Sequence, residues 1–411
     1  MSSADLSLQR YLRTRAVTGP WTIEGSGRRD FTGAVVIPAL AEGDSLFATL
    51  TSLAANPAEM LSRVLVLVVV NHRQDADPAD KADNLALLER LTAGDGVPPG
   101  LNLAWVDAAS PGRELPDKSG GVGMARKIGC DLALARLDFT CPSPILVSLD
   151  ADTLVENNYL EAISTHFCTA RQGGAVLPFR HQSGTTPAEE AAIRRYELFL
   201  HHYVQGLSLA GSPYAYHSIG SALACRAEAY VKAGGMNRRQ AGEDFYFLQQ
   251  LAKTTGVARL TGTTVHPSAR PSARTPFGTG RSIARLLAGD QKTARYYPHA
   301  AFAILGGWLT LVQEHWNAPG DDLLCQARIH SVGLAGFLIE QNFVAVWDRL
   351  RRQHRHRDAH LNAFHGWFDG LRTLRLIHHL CRCEHSLAEP VQPLLPPLMH
   401  AGLETASEPA M

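Results

Sequence analysis

The chain has 411 residues, 45% of them hydrophobic and 19% charged, with 39 Lys and Arg against 39 Asp and Glu. That length holds one large domain or two medium ones around a buried core, and zero net charge argues against nucleic acid as the principal partner. The seven cysteines, at 130, 141, 168, 225, 325, 381 and 383, are odd in number and lack Cys-x-x-Cys spacing, so they read as reduced thiols of a cytosolic protein rather than a zinc site.

Residues 1–20 carry arginines but no apolar core and do not read as a secretory signal. After a polar, Gly-rich lead-in over 24–30, residues 31–37 predict a strand stopped by Pro38, and Leu46, Leu50 and Leu53 then repeat at helical spacing. Residues 63–70 are almost continuously Val and Leu, as in a central parallel strand covered on both faces. A short helix over 83–91, a Gly/Pro-rich loop, a third strand over 101–106 and a loop through Lys118 follow. Met124, Ile128, Leu132 and Ala135 mark the next helix face. Strands alternating with helices predict a doubly wound sheet.

The next strand ends in Ile145-Leu146-Val147-Ser148-Leu149-Asp150-Ala151-Asp152-Thr153, bounded upstream by Pro142 and Pro144. Its two acids, one residue apart, fall where a parallel sheet opens to solvent, the edge at which open α/β sheets bind ligands. Two carboxylates so close make an oxygen-ligand pair for a hard divalent cation that also holds phosphate. The plain alternative is a turn with two solvated acids.

Beyond it, 175–178 reads as a strand, and Ile193, Tyr196, Leu200 and Tyr203 as one face of an amphipathic helix. Residues 220–225 lead into a helix ending near Gly234-Gly235, and Gly242-Glu243-Asp244-Phe245 opens another running to about Lys253. From Arg281 on, the periodicity is mostly helical, with a Pro-rich tail after Ala388. The longest apolar stretches, 64–70 and about 299–312, are too short to span a bilayer as a helix.

Four stretches in this order resemble the family-2 glycosyltransferases, nucleotide-sugar enzymes of GT-A fold: Val35-Val36-Ile37-Pro38-Ala39-Leu40-Ala41-Glu42, Gly120-Gly121-Val122-Gly123-Met124-Ala125-Arg126-Lys127, Asp150-Ala151-Asp152, and Gly234-Gly235-Met236 with Gly242-Glu243-Asp244. The resemblance implies a Rossmann-like, mostly parallel α/β sheet with a helical C-terminal extension. Its layout is a lead-in over 1–30, a GT-A domain over 31–270, a basic loop and helical region over 271–388, and a tail over 389–411. Residues 31–152 would form the nucleotide-sugar half and 153–270 the acceptor half. Pro38 and Glu42 would lie where the base and ribose sit. Lys118, Gly123 and Arg126 would meet the phosphates at a helix start, where free N–H groups and the dipole favour an anion.

In the family the second acid of Asp-x-Asp binds the metal and the first supports it or contacts ribose. Asp152 would then be the principal ligand of Mg²⁺ or Mn²⁺, with Asp150 beside it and His266 as a candidate third ligand. Asp244 would be the general base of an inverting transfer to an acceptor hydroxyl, with Glu243 beside it. Acids in a first helical turn also stabilise the helix without chemistry. Arg270 and Arg274, in a Gly/Pro-punctuated loop, are placed to hold the donor pyrophosphate or to be solvated linker residues. His181, His217 and Ser221 are acceptor-side candidates.

Departures from the family are informative. Asn71 stands where many members carry an aspartate that reads the base, Lys127 replaces the asparagine of an Ala-Arg-Asn signature, and the Gln-x-x-Arg-Trp signature of processive members is missing. The donor is a nucleotide-diphosphate sugar of open identity. The acceptor is equally open: carbohydrate, small molecule or lipid-linked. The cluster from Arg349 to Arg357, with His354 and His356, is a solvated helix face or a peripheral contact for anionic lipid head groups. Two rivals remain. One is a haloacid-dehalogenase-type phosphatase with Asp150 as nucleophile and Asp152 as acid/base. The other is a non-catalytic sugar- or lipid-binding protein on the same scaffold.

Overall fold

The computed structural model describes residues 3–383 apart from 119, 142–143, 273, 275–277 and 291. Pro142, part of the basic loop and the Pro-rich tail therefore lie outside the described residues. The described residues divide into two compact units: those within 3–193, 216–289 and 365–370 form one, and those within 194–215, 290–364 and 371–383 the other.

The first unit opens with helix α1 (Ser3–Thr14) and strand β1 (Ile23–Glu24), and continues through β2 (Gly33–Ala39), α2 (Gly43–Ala54), α3 (Ala58–Arg63), β3 (Val64–Asn71), α4 (Pro78–Ala93), β4 (Asn102–Ala108) and α5 (Val122–Ala133). Next come β5 (Ile145–Ser148), β6 (Leu154–Val155), α6 (Tyr159–Thr169) and β7 (Gly174–Val176). Helix α7 (Pro187–Leu209) begins in this unit, which resumes with β8 (Leu223–Arg226), α8 (Ala227–Ala233), α9 (Glu243–Thr254), β9 (Val257–Arg259), β10 (Val265–His266) and α10 (Thr279–Leu287).

Among the described residues the main sheet has eight strands in the order β1-β4-β3-β2-β5-β8-β7-β9, and β6 pairs with β10 in a small second sheet. Every residue of β2 and β3 is buried, the double cover that an uninterrupted Val/Leu run requires. The pairs β2–β3, β3–β4 and β2–β5 are parallel, while β8 runs antiparallel between β5 and β7. The expected mostly parallel, doubly wound sheet is thus present, with helices on its faces and a helical C-terminal region. The antiparallel β8 replaces the expected helix lead-in, because four short residues carry too little pattern to separate strand from helix start.

Strand β2 does not stop at Pro38 but runs through it, with Pro38 opposite Val69. The Val36 carbonyl faces β5 and accepts from the Leu149 N–H. Two residues on, the missing proline N–H faces the same side, beyond the last β5 pairing at Ser148. No ladder bond is lost, so the proline is tolerated.

Residues 1–30 are more than a lead-in. Tyr11 and Trp21 are buried, and β1 extends the sheet by pairing antiparallel with β4. Helix α1 is fixed through Asp131 of α5, whose carboxylate accepts from the hydroxyls of Tyr11 (2.6 Å) and Tyr230 (2.7 Å) and from the Val17 N–H (2.8 Å). Lys127, one helical turn earlier, pairs with Asp131 at 2.9 Å and donates to the Tyr11 hydroxyl at 3.0 Å. A buried carboxylate with this many donors has the partners its desolvation demands. Lys127 therefore has a structural task in place of the signature asparagine.

The second unit holds the C-terminal part of α7, the helices α11 (His299–Glu314), α12 (Gly320–His330), α13 (Val332–Glu340) and α14 (Phe343–Gln353), α15 (Arg357–Trp367) up to Phe364, and α16 (Gly370–Cys383) from Leu371 on. Its core centres on buried Trp308 and Trp347, packed edge-on against Phe364 with ring centroids 6.0 and 5.6 Å away. The Trp347 indole N–H donates to the Ala318 carbonyl at 2.9 Å, so this ring is buried with its polar atom satisfied. Among the described residues no helix is long and apolar enough to cross a membrane. All seven cysteines are free of disulfides.

Candidate active site

The sheet reverses its direction of winding between β2 and β5, whose carboxyl ends open side by side. A crevice at such a switch point is where doubly wound sheets take ligands. Beyond β2 the chain turns sharply through Ala41, at φ +50, into buried Glu42 ahead of α2. An alanine in the left-handed region must be held there by its surroundings. Asn84 of α4 does so. Its Oδ1 accepts from the Ala41 N–H at 2.9 Å, and its Nδ2 donates to the Asn71 carbonyl at 3.1 Å. Asn84→Ala would strand the buried Asn71 carbonyl and the partly buried Ala41 N–H, with an expected loss of about 1–3 kcal/mol in stability. A lower unfolding midpoint in urea is the check.

Asn71 itself is buried and gives its amide hydrogens to the carbonyls of Ala39 (3.0 Å) and Val69 (2.9 Å). These bonds fasten β3 to the end of β2 and leave no amide hydrogen for a base. The bracket made by Asn71 and Asn84 had no signal in the sequence beyond an asparagine at a strand end.

The Asp150-Ala151-Asp152 turn is pinned from three sides. The Thr153 N–H donates to the Asp150 carbonyl, Thr49 of α2 donates its hydroxyl to the Ala151 carbonyl at 2.9 Å, and the Gln182 amide donates to the carbonyls of both Asp152 and His266 at 2.8 Å. Gln182 thereby ties the acid turn to β10.

Around this turn the acids are matched by arginines. Arg126, only 3% exposed, bridges two of them, bonding Asp150 through one guanidinium nitrogen and Glu243 at the start of α9 through the other. Gly220 leaves the space: a Cβ there would lie 2.2 Å from the Arg126 guanidinium. Arg270 bonds Glu42 and lies 3.1 Å from Asp152, while Arg274 reaches Glu42 at 2.7 Å and the Leu40 carbonyl at 2.9 Å. The three arginines read from sequence as phosphate contacts are thus engaged with the site's own carboxylates. The other Glu42 oxygen is buried without a partner among the described residues.

Burial pushes the Asp152 carboxyl up to about 6, with Asp150 and Glu42 adding to the rise and Arg270 opposing it. Asp244 is half-buried beside Glu243 and accepts from the Phe245 N–H at 2.7 Å. Burial raises its carboxyl above the usual range, with Arg126 and that N–H opposing and Asp150 adding. A carboxylate shifted upward is a better proton acceptor near neutral pH.

The donor set suits a divalent cation shared with a phosphate ligand. Mg²⁺ in such sites rests on one or two carboxylates plus the phosphates, and Asp150 and Asp152 are the two carboxylates of the turn. His266 does not join them. Its Nδ1 is 3.0 Å from the Arg180 carbonyl and its Nε2 3.8 Å from Glu156, while its backbone lies near the turn. Among the described residues no group of three or more His, Cys, Asp and Glu is gathered for a metal.

Other expected contacts fall outside the cluster or serve packing. Lys118 is exposed in the loop before α5. Gly123 is packed under the loop leading to α9, where a Cβ would lie 2.4 Å from the Arg239 carbonyl, so the start of α5 is covered by protein. His181 and His217 flank Phe179 with ring centroids 5.5 and 5.0 Å away, and Ser221 is buried.

The strand order and the paired acids at its switch point define a mostly parallel, doubly wound α/β fold with acids at the edge where such sheets take ligands. No family model matches the chain, and no curated protein matches it by sequence. Among solved structures it is similar to S. aureus TarS 1–349 in complex with UDP-GlcNAc (12% identity, 85% of this chain, 91% of that one, TM-score 0.40). It is also similar to the mannosyltransferase PcManGT from Pyrobaculum calidifontis in complex with GDP-Man and Mn²⁺ (13%, 89% and 95%, TM-score 0.38). A third is M. tuberculosis glucosyl-3-phosphoglycerate synthase (12%, 72% and 85%, TM-score 0.35). At these values the likeness is a loose one of chain path and transfers no residue role.

Proposed function

We propose that the protein is a metal-dependent glycosyltransferase that moves a sugar from a nucleotide-diphosphate sugar to an acceptor hydroxyl with inversion. The observation that carries the reading is that Arg126 joins Asp150 to Glu243, so that one guanidinium links the Asp-x-Asp turn and the Glu-Asp pair although they are far apart in sequence. Asp152 and Asp150 are the residues that would hold Mg²⁺ or Mn²⁺, which when bound would offset the charge that builds on the departing diphosphate.

Asp244 is the proposed general base, taking the proton as the acceptor oxygen attacks the anomeric carbon. Glu243, held by Arg126, fixes the start of α9 and hence the position of Asp244. Arg270 and Arg274, on the loop before α10, exchange Glu42 and Asp152 for the donor's phosphates and exclude water from the crevice. Pro38 and Glu42 form the wall for base and ribose.

The reading is tested with a panel of nucleotide sugars, with and without Mn²⁺, by calorimetry and by release of the nucleoside diphosphate. One donor bound and consumed in a Mn²⁺-dependent way supports it. No binding to any donor, with phosphate release from small phosphoesters instead, refutes it. Within the same assay Asp244→Asn is expected to lower kcat roughly a hundredfold while leaving donor affinity near wild type. A loss of donor affinity instead would place Asp244 on the donor side.

A further inference from the structure

We propose that a second, separate site in the first unit binds a phosphate-bearing anion. A cavity of about 400 Å³ lies between the end of α1 and the segment after α8, lined by Arg13, Arg15, Lys127 and Arg238 over Gly234 and Met236. No acid is among its lining residues. This volume lies in the range of small-molecule sites, and four cations share it in a chain with no net charge overall. Cations sharing one cavity repel one another, and an anion bound among them relieves that repulsion.

The side chains of Arg13, Arg15 and Arg238 make no ion pair or hydrogen bond among the described residues, so their planar donor forks are open to phosphate oxygens. Lys127 spends one donor on Asp131 and one on Tyr11, which leaves its third for the cavity. Glycine at 234 and 235 is what lets these groups converge. A Cβ on Gly234 would lie 2.6 Å from Arg15, and one on Gly235 3.1 Å from the Lys127 ammonium.

The site is connected to the acids at α9. Its floor continues into the segment carrying Asn237, whose amide donates to the Glu243 carbonyl at 2.8 Å. A larger cavity of about 880 Å³ shares Thr14 and Arg15 and adds the apolar side chains of Leu8, Phe139 and Val231. The phosphate could therefore belong to a soluble metabolite or to a lipid head group with an apolar tail.

The test is calorimetric titration of inorganic pyrophosphate, with EDTA present, into the wild type, Arg13→Gln/Arg15→Gln/Arg238→Gln and Arg270→Gln/Arg274→Gln. Circular dichroism melts confirm that the variants are folded. Expected is a pyrophosphate site that survives in the second variant and is weakened roughly a hundredfold in the first. No binding to the wild type, equal binding to the first variant, or loss in the second overturns the proposal. Phosphatidylcholine vesicles with and without phosphatidylglycerol then separate the sources. Pyrophosphate-competed binding to anionic vesicles, lost in the first variant, assigns a lipid head group, and pyrophosphate binding without vesicle binding assigns a soluble phosphate compound. The donor panel reads the other crevice, so either site can fail without the other.

Discussion

Asp152→Asn is expected to abolish Mn²⁺-dependent donor binding and to lower turnover by roughly 10³-fold, the scale of several kcal/mol of charge stabilisation. The fold should survive, because the Asp152 backbone carbonyl, not its side chain, accepts from Gln182. The carboxylate also sits where burial, Asp150 and Glu42 all disfavour its charge, so the neutral amide removes a local repulsion. Unchanged or slightly raised thermal stability alongside lost metal response is the expected pattern. A variant that keeps its Mn²⁺ dependence would show that the metal is held without Asp152.

Arg126→Met is expected to act in the opposite way, on the fold first. Arg126 and Glu243 have side-chain exposures of only 3% and 4%, and a buried charge stripped of its partner costs about 3–5 kcal/mol. Asp150 is 34% exposed, so solvent screens its share and most of the loss falls on Glu243. Chemical denaturation of the variant should show this loss, with activity falling because both acid motifs are released together. Arg126→Lys tests the geometry: a single ammonium keeps the charge but lacks the planar fork that spans two carboxylates. It should recover part of the stability and little of the activity. Equal stability of wild type and Arg126→Met would mean that the bridge does not form in solution.

The parts legible in the sequence were those written in long local patterns. Strands β2, β3 and β5 could be read because their Val and Leu runs are continuous, and the acid turn because it ends one of them. The short β1 and β8 were not readable, since two to four residues carry no period and their place depends on partners far along the chain. The residues of the crevice were mostly visible as types, but their pairing was not. Nothing local indicates that Arg126 faces acids 24 and 117 positions away rather than a phosphate. The same holds for Asn84, whose task is set by a left-handed alanine on another segment, and for His266, whose Nδ1 meets the Arg180 carbonyl.

The attachment of α1 has a consequence for synthesis. The helix leaves the ribosome well before its anchors Asp131 and Tyr230, the latter more than two hundred residues later. At about 5–20 residues per second, α1 must wait on the order of ten seconds or more before its seat exists. Throughout that interval the side of the helix bearing Tyr11 stays open to chaperones or to other nascent chains. Docking of this helix therefore waits until Asp131 and Tyr230 have been made, and the helix then covers the buried Lys127–Asp131 pair.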